Sequence, residues 1–166
     1  MAEKENIILG ISLGTRRLGM AVGSQNELID WQMKVFAQTY SKKKARKIWR
    51  TVEQTILKYG ITVIGMKLSP NYSRTDGLSH CIKYISEKAI EKGIVLFFYD
   101  LQAIADHFLK SESISKKEFA EKIAEKYPEL KREIFKMGDS LHNFKMFEAV
   151  ASMDLALLES FQKQKL

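Results

Sequence analysis

Between Ile8 and Gly23 the chain reads ILGISLGTRRLGMAVG, two almost wholly apolar runs joined by a turn that carries Gly14, Arg16 and Arg17. An apolar run without polar alternation suits a strand covered on both faces, and two such runs around one short turn predict a hairpin inside a sheet. Ser12 breaks the pattern. It places a neutral hydroxyl near the end of the first buried strand, where a catalytic or metal-binding chain would want a carboxylate.

Periodicity beyond the hairpin predicts an α/β chain. Ile7–Leu13, Leu18–Gly23 and Leu28–Phe36 read as three meandering strands, the last two separated by Ser24-Gln25-Asn26. Ser41 is placed to cap a helix whose apolar face is Ala45, Ile48, Trp49, Val52 and Ile56, with Gly60 as its stop and Trp49 facing inward. A strand at Ile61–Leu68, the loop SPNYSRTDG, a helix over Leu78–Lys92 and a strand at Ile94–Tyr99 follow. Asp100 suits a helix cap for a segment through Leu109, and Ser115 caps a segment reaching Tyr127. Pro128 marks a break, and a last helix runs from about His142 to Gln162. Three antiparallel strands followed by parallel ones imply a five-stranded mixed sheet flanked by helices, with additional C-terminal helices. At 166 residues, 45% hydrophobic, with two prolines and nine glycines, the chain is expected to form one domain over 1–166 rather than a repeat or a disordered segment.

Charge is unevenly placed. Residues 1–60 carry 11 Lys and Arg against 5 acids, so six of the seven surplus positive charges sit there. Lys43, Arg46, Lys47 and Arg50 fall on the helix face opposite the apolar one, as a surface facing polyanions requires; a solvated lysine-rich helix has the same pattern. No apolar run approaches a membrane span or a secretory core, so a cytoplasmic chain without membrane contact is expected. Cys81 stands alone, has no activating neighbour in sequence and reads as a packing residue. His80, His107 and His142 share no metal-ligand spacing, Ser12 lacks the nucleophile-elbow pattern, and there is no phosphate-loop or dinucleotide fingerprint.

The order of elements is similar to that of the ribonuclease H-like fold, and four stretches narrow the resemblance. ILGISLGTRRLGMAVG resembles the first hairpin of the RuvC-type Holliday-junction resolvases and their YqgF relatives, whose pattern is roughly LGID-x-G-x-x-x-x-G-x-A-V, with Ser12 at the aspartate. VIGMKLSPNYSRTDG resembles the family segment that leads into the second helix. FFYDLQAIADHFL resembles its Asp-Glu-Arg stretch, with Asp100 on the aspartate and Leu101 and Gln102 replacing the other two. FEAVASMDLALLESF resembles the closing helix, with Glu148 at its aspartate. The resemblance runs from about Ile7 to Phe161, and the stretch between Leu109 and His142 fits it poorly.

The resemblance implies metal-dependent phosphodiester cleavage, in which acids hold two divalent ions about 4 Å apart. This chain keeps only Asp100 and Glu148 as candidate catalytic carboxylates. Ser12 is a weak ligand for a hard cation, and the strand Ile61–Leu68 offers no acid: Gly65 falls where RuvC-type enzymes place a glutamate, and the nearby Lys67 replaces a cation rather than binding one. Each survivor has a plainer reading, Asp100 as a helix cap and Glu148 on a polar stripe with Lys145, Ser152 and Glu159. Asp154 falls within the apolar arc of the last helix and needs a partner.

The first expectation is therefore a catalytically depleted, resolvase-like binder of structured DNA or RNA. Arg16, Arg17, Lys43, Arg46, Lys47, Arg50 and Lys67 would meet phosphates, and no metal or cofactor is required. The alternatives are an active nuclease using Mg²⁺ or Mn²⁺ through Asp100 and Glu148 with Asp154 or Asp76, and a protein-interaction scaffold that keeps only the fold. Related resolvases dimerise, which makes a homodimer an open expectation.

Overall fold

A computed structural model describes residues 5–69, 75–109, 115–137 and 143–164. Strands β1 (Ile8–Leu13), β2 (Arg17–Gly23) and β3 (Leu28–Val35) form the meander. Helix α1 (Lys42–Tyr59), strand β4 (Val63–Lys67), helix α2 (Asp76–Glu91), strand β5 (Val95–Tyr99) and helix α3 (Leu101–Leu109) follow. Helices α4 (Lys116–Lys126), α5 (Lys131–Met137) and α6 (Phe144–Gln164) close the chain. The sheet order is β3-β2-β1-β4-β5, with β1–β2 and β2–β3 antiparallel and β1–β4 and β4–β5 parallel, the expected mixed α/β sheet.

Local chemistry accounts for the boundaries. The Ser41 hydroxyl accepts from the Lys44 amide at 3.0 Å, and Gly60 ends α1 in the left-handed region at φ 65°. Helix α2 starts two residues before the expected Leu78, because Thr75 caps it by accepting from the Leu78 amide at 3.1 Å; Asp76 and Gly77 belong to its first turn. Ser115 caps α4 as expected. Pro128 opens a short 3-10 turn to Leu130 that leads into α5, so that break is a corner between helices. The expected start of the last helix at His142, and that histidine itself, lie outside the described residues.

Alternation along the strands divides the interior into two cores. Leu9, Ile11 and Leu13 of β1, with Leu18, Met20 and Val22 of β2, pack under α1 and α2, where Trp49 and Cys81 are buried. Ile8 and Ala21 belong to the other core, beneath α3, α4 and α6. On that second face glycines floor the sheet. A Cβ on Gly10 would lie 1.9 Å from the Ala149 carbonyl oxygen, one on Gly19 2.1 Å from that of Lys145, and one on Gly65 2.4 Å from that of Ser152. Backbone of α6 therefore rests directly on backbone of β1, β2 and β4, with Gly10 and Gly65 register partners in the parallel pair.

That contact is rigid on both sides, since neither a helix carbonyl nor a strand backbone can swing aside as a side chain does. Gly10→Ala is expected to destabilise the fold by roughly 3 kcal/mol, at the upper end of the overpacking range. Urea unfolding monitored by circular dichroism reads this directly, and a loss well under 1 kcal/mol would contradict the close approach.

Candidate functional site

The parallel strands β1 and β4 run side by side, and beyond Gly10 and Gly65 the next residues on the α6 face are Ser12 and Lys67, which are themselves register partners. The first turns of α6 bring Lys145 and Glu148 over them. Glu148 is 2% exposed, Ser12 is fully buried and Lys67 is 7% exposed. The carboxylate is enclosed by donors: Oε1 accepts from the Ser12 hydroxyl at 3.2 Å and from Lys145 Nζ at 3.1 Å, and Oε2 meets Lys67 Nζ at 2.8 Å. Lys67 also reaches Ser69 Oγ at 3.4 Å.

One carboxylate among two ammonium groups leaves the cluster with a surplus positive charge. Burial pulls the Lys67 ammonium below the usual lysine range; Glu148 pulls it back and the neighbouring Lys145 charge lowers it further. Gly65, the position the resemblance gives to a glutamate, does not face the cluster. Gly65 is covered by the helix backbone at Ser152, and the residue that faces Ser12 and Glu148 is Lys67. The solvated reading of Glu148 is corrected, since its stripe of α6 faces the sheet at this point rather than water.

Asp100 takes no part in this cluster. It is exposed and its Oδ1 accepts from the Ala103 amide at 2.8 Å, the cap reading of that residue. Asp154 sits almost two turns further along α6 and is 4% exposed. It accepts from His107 Nε2 at 2.8 Å, from Lys126 Nζ at 2.7 Å and from the Tyr127 hydroxyl. These groups border a hollow of about 810 Å³ near the β2–β3 turn, at the opposite end of the sheet from Ser12. Asp154 is thus a structural acceptor, remote from the Glu148 cluster. Among the described residues no group of three or more His, Cys, Asp or Glu side chains is placed to hold a metal ion, and no helix is long and apolar enough to cross a membrane.

The basic residues divide between two places: Arg16 and Arg17 lie in the hairpin turn next to Lys145, whereas Lys43, Arg46, Lys47 and Arg50 belong to α1, on the opposite face of the sheet from α6. Arg16, Arg17, Lys43, Arg46, Lys47 and Arg50 are all exposed. The hairpin turn bearing the arginines is closed by a hydrogen bond from the Gly14 amide to the Arg17 carbonyl at 2.8 Å, and the Lys145 stem packs against Gly14. Lys44 lies outside the basic set that the sequence points to; it is buried and its Nζ donates to the carbonyls of Thr15 at 2.7 Å and Gln38 at 2.5 Å. It ties the arginine turn to the segment entering α1. Its place on the Ile48 and Val52 arc of the helix was the available signal.

Two stability measurements test these contacts. Burial pushes the Asp154 carboxyl up, but the hydrogen bonds from His107, Lys126 and Tyr127 outweigh it and hold it below the usual aspartate range. The stability this carboxylate contributes is therefore present above the ordinary value near 3.8 and is lost as pH falls through its lower folded value. Asp154→Asn is expected to destabilise by roughly 2 kcal/mol at neutral to mildly acid pH, and urea midpoints should show a smaller gap from wild type at pH 3 than at pH 5.5. At the other cluster, Glu148→Gln leaves a buried ammonium unpaired and is expected to destabilise by about 3 kcal/mol or more. Adding Lys67→Met should restore most of that loss in the same unfolding assay, because the two substitutions share one contact.

No family profile matches the sequence, and no curated protein does. Solved structures do. The Thermus thermophilus RuvC structure superposes with a TM-score of 0.67 at 16% identity, covering 96% of this chain and 96% of that one. T. thermophilus RuvC in complex with a Holliday junction substrate gives 0.66 at 16% identity over the same shares. The likeness over nearly the whole of both chains shows that this chain has the ribonuclease H-like fold of the RuvC resolvase.

Proposed function

We propose that this chain binds branched or otherwise structured nucleic acid without cleaving it, and that fixed lysine charges take the place of divalent cations. The observation that carries the reading is the enclosure of Glu148 by Ser12, Lys67 and Lys145 at the carboxyl ends of β1 and β4. The fold adds to it, because a neighbour of the same architecture is seen with a Holliday junction substrate.

A pair of divalent ions does not fit this donor set. Hard cations need several anionic oxygens, and here one carboxylate has both oxygens engaged while two ammonium groups occupy the surroundings. Bringing in even one ion would set it against Lys67 and Lys145 before any ligand was gained. Asp100 does not join this donor set: it is exposed, and its Oδ1 caps α3 by accepting from the Ala103 amide. The same arrangement is favourable toward a phosphodiester, which supplies the negative charge the cluster lacks.

Basic residues on the other face of the sheet add to the reading. The first turn of α1 holds Lys42, Lys43 and Lys44 and no acid, against the preference of a helix N-terminus for negative charge. A phosphate lying along this end offsets the mismatch, and Arg16 and Arg17 extend the contact. Such contacts read the backbone rather than the sequence and weaken steeply with salt as counterions are recaptured.

Binding of a labelled four-way junction is expected in low salt, with affinity falling by about two orders of magnitude or more between 50 and 200 mM salt. A chelator should leave that affinity unchanged, and Mg²⁺ or Mn²⁺ should yield no cleavage. Charge reversal of Arg16, Arg17 and Arg46 should abolish binding while leaving the unfolding midpoint in place. Cleavage that depends on Mn²⁺ and is lost in Asp100→Asn or Glu148→Gln would instead establish the active-nuclease alternative.

A further inference from the structure

Resting on the nucleic-acid reading above, we infer that Tyr40 and His80 form a stacking platform for an unpaired base, so that the preferred partner carries unpaired nucleotides beside a branch point. Tyr40 immediately precedes the Ser41 cap of α1, and His80 lies in the second turn of α2. Their rings are 5.5 Å apart between centroids and inclined by 34°. Both residues are exposed, Tyr40 by 39%, although an aromatic ring of this size normally finds cover.

The platform is held in place rather than left to swing. A Cβ on Gly77 would come 2.5 Å from the Tyr40 Cβ, so the absence of a side chain at Gly77 is what allows the tyrosine to sit down on α2. Two residues before it, the Gln38 carbonyl is fixed by the buried Lys44 ammonium, which also holds the carbonyl of Thr15 in the arginine turn. One cation thus sets the spacing between the aromatic pair and the arginines. Lys42 and Lys43 follow one residue after Tyr40, just past the Ser41 cap, so a strand whose phosphates run along the start of α1 would present its bases to these rings.

A base in an intact duplex is stacked on both sides and has no face to offer, whereas an unpaired base has two. Stacking on an aromatic side chain is tolerant of sequence, which suits a surface built otherwise of backbone contacts. Tyrosine also keeps its hydroxyl in water while the ring is covered, which explains its toleration as an exposed residue in the free protein.

Two labelled four-way junctions test the assignment, one fully paired and one with a short unpaired tract at the crossover bearing a fluorescent purine analogue. Wild type is expected to bind the second on the order of tenfold more tightly and to change the analogue's fluorescence. Tyr40→Ala should remove that preference and the fluorescence change while leaving affinity for the paired junction as it was; Tyr40→Phe, which keeps the ring, should retain both. Equal binding of the two junctions by wild type, or equal losses on both in Tyr40→Ala with an unchanged unfolding midpoint, overturns the platform and leaves the nucleic-acid reading standing. Failure of wild type to bind either junction in low salt overturns both.

Discussion

The direct seating of α6 on the sheet governs where everything else in this protein lies. Helices usually ride on a sheet at a distance set by interleaved side chains. Here Gly10, Gly19 and Gly65 remove that layer, so that helix carbonyls meet strand backbone and the axis of α6 is fixed by hard contact. Because β1 and β4 are parallel and in register, the same geometry carries one step further to Ser12 and Lys67, which come up beside the first turns of the helix. The position of Glu148 over them follows from the glycine floor behind it, and no loop conformation is needed to bring the four side chains of the cluster together.

Once these groups are confined, electrostatics selects what the site can hold. A buried carboxylate must be matched, and metal ions and ammonium groups are two ways of doing so. They differ in what they leave behind. A divalent ion can keep open positions for water and for a phosphate oxygen, so its charge remains available to a reaction. A lysine is tethered and monovalent, and its donors are partly consumed by the carboxylate it neutralises. In this structure the matching is done by Lys67 and Lys145, which reach the Glu148 carboxylate at 2.8 and 3.1 Å.

Much of this was legible in the sequence, for reasons specific to each element. The hairpin around Gly14 and the amphipathic face of α1 gave strong periodic signals, and the Ser41 and Ser115 caps are local chemistry. Ser12 drew notice because a hydroxyl interrupts an apolar run. What a single sequence could not supply was the register between β1 and β4, which decides whether Gly65 or Lys67 faces Ser12; a shift of one or two residues exchanges a glycine floor for a buried lysine. Glu148 was ambiguous for a related reason. The polar stripe of α6 resembles a solvated face until the sheet beneath it is known to carry Lys67. Lys44 was hidden by the lysines around it, since composition records three in a row and only the fold shows that the third is buried against two carbonyls.

Two acids on α6 illustrate how alike buried carboxylates look before their surroundings are known. Asp154 and Glu148 are both buried and both accept from three donors. Around Asp154 the donors are a histidine, a lysine that is 54% exposed and a tyrosine, drawn from α3, the end of α4 and the residue after it, so its role is to fasten the C-terminal helices to the core. Around Glu148 two of the three donors come from the central strands, at the carboxyl edge where parallel sheets place their ligands, and the third sits beside the arginine turn. Equivalent partner counts therefore carry different structural meanings. An acid whose donors are gathered from peripheral helices fastens those helices to the core, and one whose donors rise from the sheet ties the first turns of α6 to the ends of β1 and β4.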